Sequence, residues 1–337
     1  MKSKFFSVAS LAAISLMISC AQREVTPIAE LVFSNESFIP ANIAIADNGN
    51  MFLSVNPLSD PEAKLYMVTD GGSAFSPYPN AEYVVGDDSI IEGVLALNID
   101  DDNNLWILDM VDPKFVVWDI EADTLVNTIV IPDEVLRTNS FLQDFVIDSS
   151  NDRLIIADMT MPSGDLGSYP AFVVYDMTNR EFNRLAERHP SLMAEYVEGF
   201  GLNPIAIDPA GEWVYFGAMD GRKIYRAMAE NFANEEMLLE GIELYGDKSY
   251  SDGIVVDQGG NIYVANIEDD AISLFDGENF VNIAMLPEGQ SWPDGLVIED
   301  GYIYATVSQL DKSAALNGGV DATQAPYVVV RTEIVED

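Results

Sequence analysis

Apolar residues in this chain come in short runs, broken by turns that carry acids, glycine and asparagine, and one unit of this kind returns six times. In each copy an apolar run closes on an acid, a turn follows, and a second apolar run begins. The first copies start at Asn42, Leu95 and Gln143, close on Asp47, Asp100 and Asp148, and resume at Met51, Leu105 and Leu154. The others start at Asn203, Asp252 and Asp294, close on Asp208, Asp257 and Glu299, and resume at Trp213, Ile262 and Tyr302. β-Branched and aromatic residues fill the runs, while Asp, Asn and Gly tolerate the left-handed backbone of a tight turn. Each unit therefore predicts a β-hairpin. A third apolar run follows each hairpin, beginning at Lys64, Lys114, Ala171, Lys223, Ala271 and Tyr327. After Asp119 and Asp276 the pattern predicts a further turn and a fourth strand.

Three to four strands in each repeat, six repeats in a row, predict an all-β, six-bladed β-propeller forming one domain over residues 29–337. A β-sandwich would not repeat so regularly, and a linear solenoid would need distinct capping units at its ends. An apolar run from Ala29 to Phe33 precedes the first hairpin. It is expected to join the last blade as its outer strand, closing the ring and removing exposed sheet edges. Segments 73–91, 132–142, 159–169 and 184–202, rich in Pro, Gly, Ser and Asn, predict loops over one face of the disc.

The first twenty residues follow a different pattern. Lys2 and Lys4 precede an apolar run over 5–18, too short to span a bilayer comfortably, and the whole has the form of a secretory signal. The stretch from Leu16 to Cys20 resembles a bacterial lipoprotein signal, in which the cysteine becomes the lipidated first residue; Met17 stands where leucine is usual. The expectation is an exported protein, periplasmic or at the cell surface, anchored to a membrane through Cys20, with residues 21–28 as linker. Cys20 is the only cysteine, which excludes an intrachain disulfide and any cysteine-based metal cluster. Sixteen Lys and Arg against 56 Asp and Glu leave a formal charge of −40, so nucleic acid and anionic headgroups are repelled and the surface is acidic and solvated. Membrane contact is expected through the lipid alone, and the chain is expected to be a monomer.

Candidate chemistry follows from the repeat. The first strand of each propeller blade lines the central channel, so the position five residues before each closing acid forms a ring: Asn42, Leu95, Gln143, Asn203, Asp252 and Asp294, with Asp144 beside it. Five of these six ring positions carry side-chain oxygens, the ligand type that hard cations require. Asn203, Asp252 and Asp294 are the expected ligands of Ca²⁺ or another divalent cation. Asn42, Gln143 and Trp292 are expected to contact a small molecule, and Asp252, Asp294 and Asp144 to move protons if the site is catalytic. The structural alternative is that Asp or Asn before Gly or Pro caps strand ends by bonding backbone amides. Trp292, two residues before Asp294, is expected to wall a pocket, and an aromatic ring beside a carboxylate suits a cationic amine. The aromatics Trp106, Trp118, Trp213, Tyr215 and Tyr263 lie within strand runs and are expected to pack between blades. The single histidine, His189, excludes a multi-histidine zinc or iron site, and no nucleophile elbow, phosphate-binding glycine loop or dinucleotide fingerprint occurs.

Several stretches resemble the Yellow and major royal jelly protein family, in particular its bacterial members. They begin at Leu105, Pro113, Leu142, Gly211, Gly221, Ser251, Trp292, Ser308 and Ala315, in that order, within a likeness running from about Phe38 to Arg331. The resemblance implies a six-bladed propeller. It leaves function wide, since the family includes storage, pigmentation-linked and amine-binding proteins. A broader likeness is to the gluconolactonase and senescence-marker-protein propellers, where a divalent metal, usually Ca²⁺, sits in the channel and serves lactone hydrolysis. By that likeness Asn203 and Asp252 fall at metal-ligand positions, Gln143 at an asparagine position, and Asn42 where a glutamate ligand stands, a departure that removes one charge. Asp294 or Asp144 would have to compensate. Three readings follow: a propeller binding a small molecule at its channel with Ca²⁺, a metal-dependent lactone hydrolase using the same residues, and an interaction scaffold with an inert channel.

Overall fold

The computed structural model describes residues 26–164 and 167–335; the signal-like segment with Cys20 and residues 21–25 of the linker lie outside the described residues. Among the described residues no helix is long and apolar enough to cross a membrane.

Six antiparallel sheets of four strands each stand around one axis. Blade one runs outward through Pro40–Ile45, Met51–Val55, Leu65–Thr69 and Ala74–Pro77. The inner strands of blades two to five are Val94–Ile99, Leu142–Asp148, Leu202–Ile207 and Ser251–Val256. Blade six takes Pro293–Glu299, Tyr302–Val307 and Tyr327–Glu333 from the end of the chain and Glu30–Asn35 from its start. Glu30 lies opposite Arg331 and Asn35 opposite Tyr327, so the ring closes as the sequence predicts. Each inner strand touches the next, and the sixth returns to the first.

The strands are apolar on both faces because each blade is covered on both sides. Six separate apolar layers fill the six gaps between blades. Within one strand, Leu105 and Ile107 face blade one while Trp106 faces blade three. Phe172 meets Phe216 and Phe232 edge-on at 4.9 and 5.0 Å in the layer between blades three and four. Each such ring buried from water contributes about 1.5–3 kcal/mol. Trp106, Trp118, Tyr215 and Tyr263 are all buried in these layers, and Trp213 is half-buried at the edge of one.

The recurring closing acid has a local role in most blades. Asp257 accepts from the backbone N–H of Gly259 and Asn261 through Oδ1, and from the Asn261 amide and Tyr263 hydroxyl through Oδ2, at 2.8–3.0 Å. Asp100 does the same with Asp102, Asn104 and the Trp106 indole, and Asp148 and Asp208 bond their own turns. The acid is the buckle of the hairpin, which is why it recurs.

Two segments differ from expectation. Segment 73–91 is not a plain loop: Gly71 and Gly72, at φ 63° and 91°, turn the chain straight back into the rim strand Ala74–Pro77, and Ala81–Val84 forms a short helix. Arg184 likewise belongs to a rim strand, Glu181–Leu185, where its guanidinium pairs with buried Asp158 at 2.6 Å. A helix that the repeat does not predict, Glu235–Gly241, is inserted before the rim strand of blade four and capped by Asn234 accepting from Met237 N–H.

Candidate functional site

Each inner strand loses its regular pairing where the ring residues stand. The register breaks between Pro40 and Ile43, Val94 and Leu97, Leu142 and Asp144, Leu202 and Ile205, Ser251 and Ile254, and Pro293 and Leu296. Such bulges re-aim side chains, and here all six ring positions, with Asp144, line one constriction on the axis. Its free volume, about 10 Å³, has room for about one water or ion. The strands come this close because Gly253 and Gly295 have no side chain. A Cβ on Gly253 would lie 2.5 Å from the Asp294 carbonyl oxygen, and one on Gly295 would lie 2.7 Å from Asn42 Cα.

Backbone groups freed by the bulges are satisfied by hydroxyls on the second strands. Ser54 Oγ accepts from Asn42 N–H and donates to the Leu95 carbonyl in blade two at 2.7 Å. Thr306 Oγ1 accepts from Gly295 N–H and donates to the Ala41 carbonyl of blade one.

The three carboxylates have unequal surroundings. Asp252 is buried, with Oδ1 accepting from Asn203 Nδ2 at 2.6 Å and Oδ2 from the Trp292 indole N–H at 2.7 Å. Burial raises its pKa, and the bonds from Trp292, Asn203 and Gln143 work against that rise. Burial pushes Asp294 well above the carboxylate range, Asp252's charge adds to the effect, and a single bond from Ser308 opposes it. Asp144 rises to about 7, chiefly by burial; its Oδ1 accepts from Phe145 N–H at 2.8 Å, and the Asn42 amide supports it. Gln143 gives its amide to Asp252, and its Oε1 is buried without a partner.

The channel opens differently at its two ends. On one face a cavity of about 110 Å³ lies above Asp252, Asp294 and Gln143, walled by Phe141, Phe200, Leu95, Leu316 and three methionines. On the other a funnel of about 300 Å³ runs down to Asn42, Asn98 and Asp144 between half-buried aliphatic residues. Asp252 and Asp294 thus face the mouth, and Asp144 the funnel. Trp292 does not wall the mouth cavity. Held at φ 62°, with its N–H on Asp270 Oδ1, it stands behind Asp252 and fixes that carboxylate. His189 lies away from the channel, its Nδ1 2.8 Å from Ser191 Oγ at the start of a short turn.

The donors around the axis are oxygens, which fits a hard divalent cation, and the orphaned Gln143 Oε1 is an acceptor waiting for a positive or N–H-bearing partner. Among the described residues no group of three His, Cys, Asp or Glu side chains is close enough to hold a metal, so such an ion would depend on amide oxygens as well. Sequence reasoning did not find Ser54, Thr306 or Ser308, nor the mouth residues Phe141, Phe200, Met159, Met161, Met219 and Leu316, because irregular loops carry most of the mouth.

A family model described as Major royal jelly protein matches residues 92–336, which covers blades two to five and three of the four strands of blade six. No curated protein sequence matches. Among solved structures, a gluconolactonase from Xanthomonas campestris superposes with a TM-score of 0.59 over 91% of this chain and 92% of that one, at 10% identity. The calcium-binding protein regucalcin from Agrobacterium tumefaciens gives 0.58 over 90% and 95%, at 15% identity. A luciferin-regenerating enzyme gives 0.60 over 90% and 94%, at 12% identity. At these identities the likeness shows the fold.

Proposed function

The chain belongs to the major royal jelly protein family, and on that premise we propose that it is an exported, lipid-anchored propeller that binds a small cationic molecule at the mouth of its channel, with Ca²⁺ beneath. The observation that carries this reading is the contrast inside the mouth. Its walls are apolar, while its floor holds two carboxylates and an unpartnered amide oxygen. An amine with an apolar body matches both: its N–H groups reach Asp294 and Gln143 Oε1, and its body displaces water from Phe141, Phe200 and Leu316. Asp252, tied by Asn203 and Trp292, supplies fixed negative charge without having to reorganise.

Asn203, Asp252 and Asp294, with Gln143 Oε1, are the residues that would hold the cation. Bound there, it would neutralise carboxylates that raise one another's pKa. The second reading is a lactone hydrolase at the same place, favoured by Asp294, an acid facing the mouth whose pKa is raised by burial and by the charge of Asp252, the direction that suits a group handling a proton. A divalent cation would supply polarisation of the lactone carbonyl. Asn42, uncharged where the lactonase likeness places a glutamate, weighs towards binding.

Calorimetry and melting with Ca²⁺, a panel of aromatic and aliphatic amines, and simple lactones separate the two. Binding without turnover, lost in Asp252→Ala, supports the first reading. Metal-dependent lactone opening lost in the same variant supports the second. A folded protein that responds to none of the three classes removes both.

A further inference from the structure

Three of the residues around the mouth are methionines: Met159, Met161 and Met219 line the same cavity of about 110 Å³. Met159 and Met219 are each 3% exposed and occupy the same place in neighbouring blades, directly after the second strands Arg153–Asp158 and Trp213–Ala218. Met161 follows Met159 by two residues, with Thr160 between them. Thr160 is fully buried at φ 49°, a left-handed conformation that β-branched residues rarely adopt. The surrounding structure imposes it: Thr160 N–H donates to Asp158 Oδ1 at 3.1 Å, and its hydroxyl accepts from Tyr169 N–H at 2.7 Å. Met161 is clasped through its backbone by Asn139, both ways, at 2.8 Å.

The third methionine is held as firmly. Lys248 is buried, and its ammonium donates to the carbonyls of Ala218, Gly221 and Ser249 at 2.6–3.1 Å, pinning the turn that carries Met219. Thioether sulfur differs from leucine in being a soft, polarizable, neutral donor. Soft thioethers select Cu(I) and its closed-shell relatives over hard ions. Neutral donors leave a bound cation's charge uncompensated, and Asp252 and Asp294, lining the same cavity, supply the counter-charge.

We propose that Met159, Met161 and Met219 form a binding site for a soft monovalent cation, Cu(I) or Ag(I), at the mouth of the channel, distinct from the oxygen ring beneath. The test uses Ag⁺, which needs no reductant, on the full chain carrying Cys20→Ser so that the thiol does not compete. The chain has 13 methionines; labelled with ¹³C at the methyl groups, three resonances should move on adding one equivalent of Ag⁺. Met159→Leu, Met161→Leu and Met219→Leu should each remove one of those three and weaken Ag⁺ binding by more than about tenfold. Leucine keeps the volume and the apolar wall, so melting temperature and the response to Ca²⁺, which rests on the oxygen ring beneath and touches none of the three methionines, should persist; that separates failure here from failure of the channel reading. Movement of other methionine resonances, or unchanged Ag⁺ affinity in the three variants, overturns the proposal.

Discussion

Asp252 and Asp257 stand at opposite ends of one inner strand, yet their surroundings have nothing in common. Asp257 is satisfied within its own hairpin by groups from the next six residues. Asp252 is held by Asn203 of blade four and Trp292 of blade six, 49 and 40 residues away in sequence. Burial raises the pKa of the Asp252 carboxyl, against the bonds that its distant partners make to it. The lesson is that partner distance along the chain, more than acidity or burial, separates an acid that makes the fold from one that the fold positions.

That distinction can be broken or sharpened by substitution. The largest effect is expected at Asp144, whose pKa rises to about 7 from 3.8. In the unfolded chain it ionises near pH 4 while the folded form still holds its proton, so its charge destabilises the fold increasingly as pH climbs from about 4 to 7. Asp144→Asn should therefore gain stability relative to the wild type across that window, on the order of 4 kcal/mol at the plateau above it, in metal-free buffer. A stability difference independent of pH would show that Asp144 is not the group responsible. Next comes Asp257→Ala, which orphans the Gly259 and Asn261 N–H groups and should cost about 3 kcal/mol in denaturant melts while leaving ligand and Ca²⁺ responses intact below the transition.

Asp252→Asn should do the reverse, losing roughly a hundredfold in affinity for cationic ligand with little change in melting temperature, since an amide is easier to bury than a carboxylate. Equal loss of stability in the two variants would erase the contrast drawn above. Gly253→Ala drives a methyl into the Asp294 carbonyl and should cost about 2 kcal/mol, read by the same melts. Trp292→Phe keeps the ring but deletes the N–H on Asp252; about a tenfold weaker ligand affinity is expected by calorimetry, from one lost hydrogen bond to a charged group.

The architecture was legible because its signals are local. Asp100, Asp148, Asp208 and Asp257 bond their own turns, so the same short pattern had to recur in the sequence. Counting five residues back from each was enough to bring Asn42, Leu95, Gln143, Asn203, Asp252 and Asp294 to one place on the axis. What the spacing could not reveal was direction. Asp144, one residue along from Gln143, faces the funnel because the register breaks between Leu142 and Asp144. Trp292 serves Asp252 and not the cavity because its backbone is left-handed there. The rim strand Ala74–Pro77 was hidden in an apparent loop because two glycines made its turn too tight to leave a gap in the pattern.

Closing the ring with Glu30–Asn35 has a consequence for how the molecule is made. Arg331 and Glu30, 301 positions apart, pair across the seam at 2.9 Å, so Glu30–Asn35 has no sheet to join until the ribosome has made Tyr327–Glu333, some 300 residues later. A nascent chain that stops short of Tyr327 strands both partners at once, leaving Glu30–Asn35 and Tyr302–Val307 with nothing between them. The seam thereby acts as a checkpoint: only a chain that has reached Tyr327–Glu333 can become a closed disc.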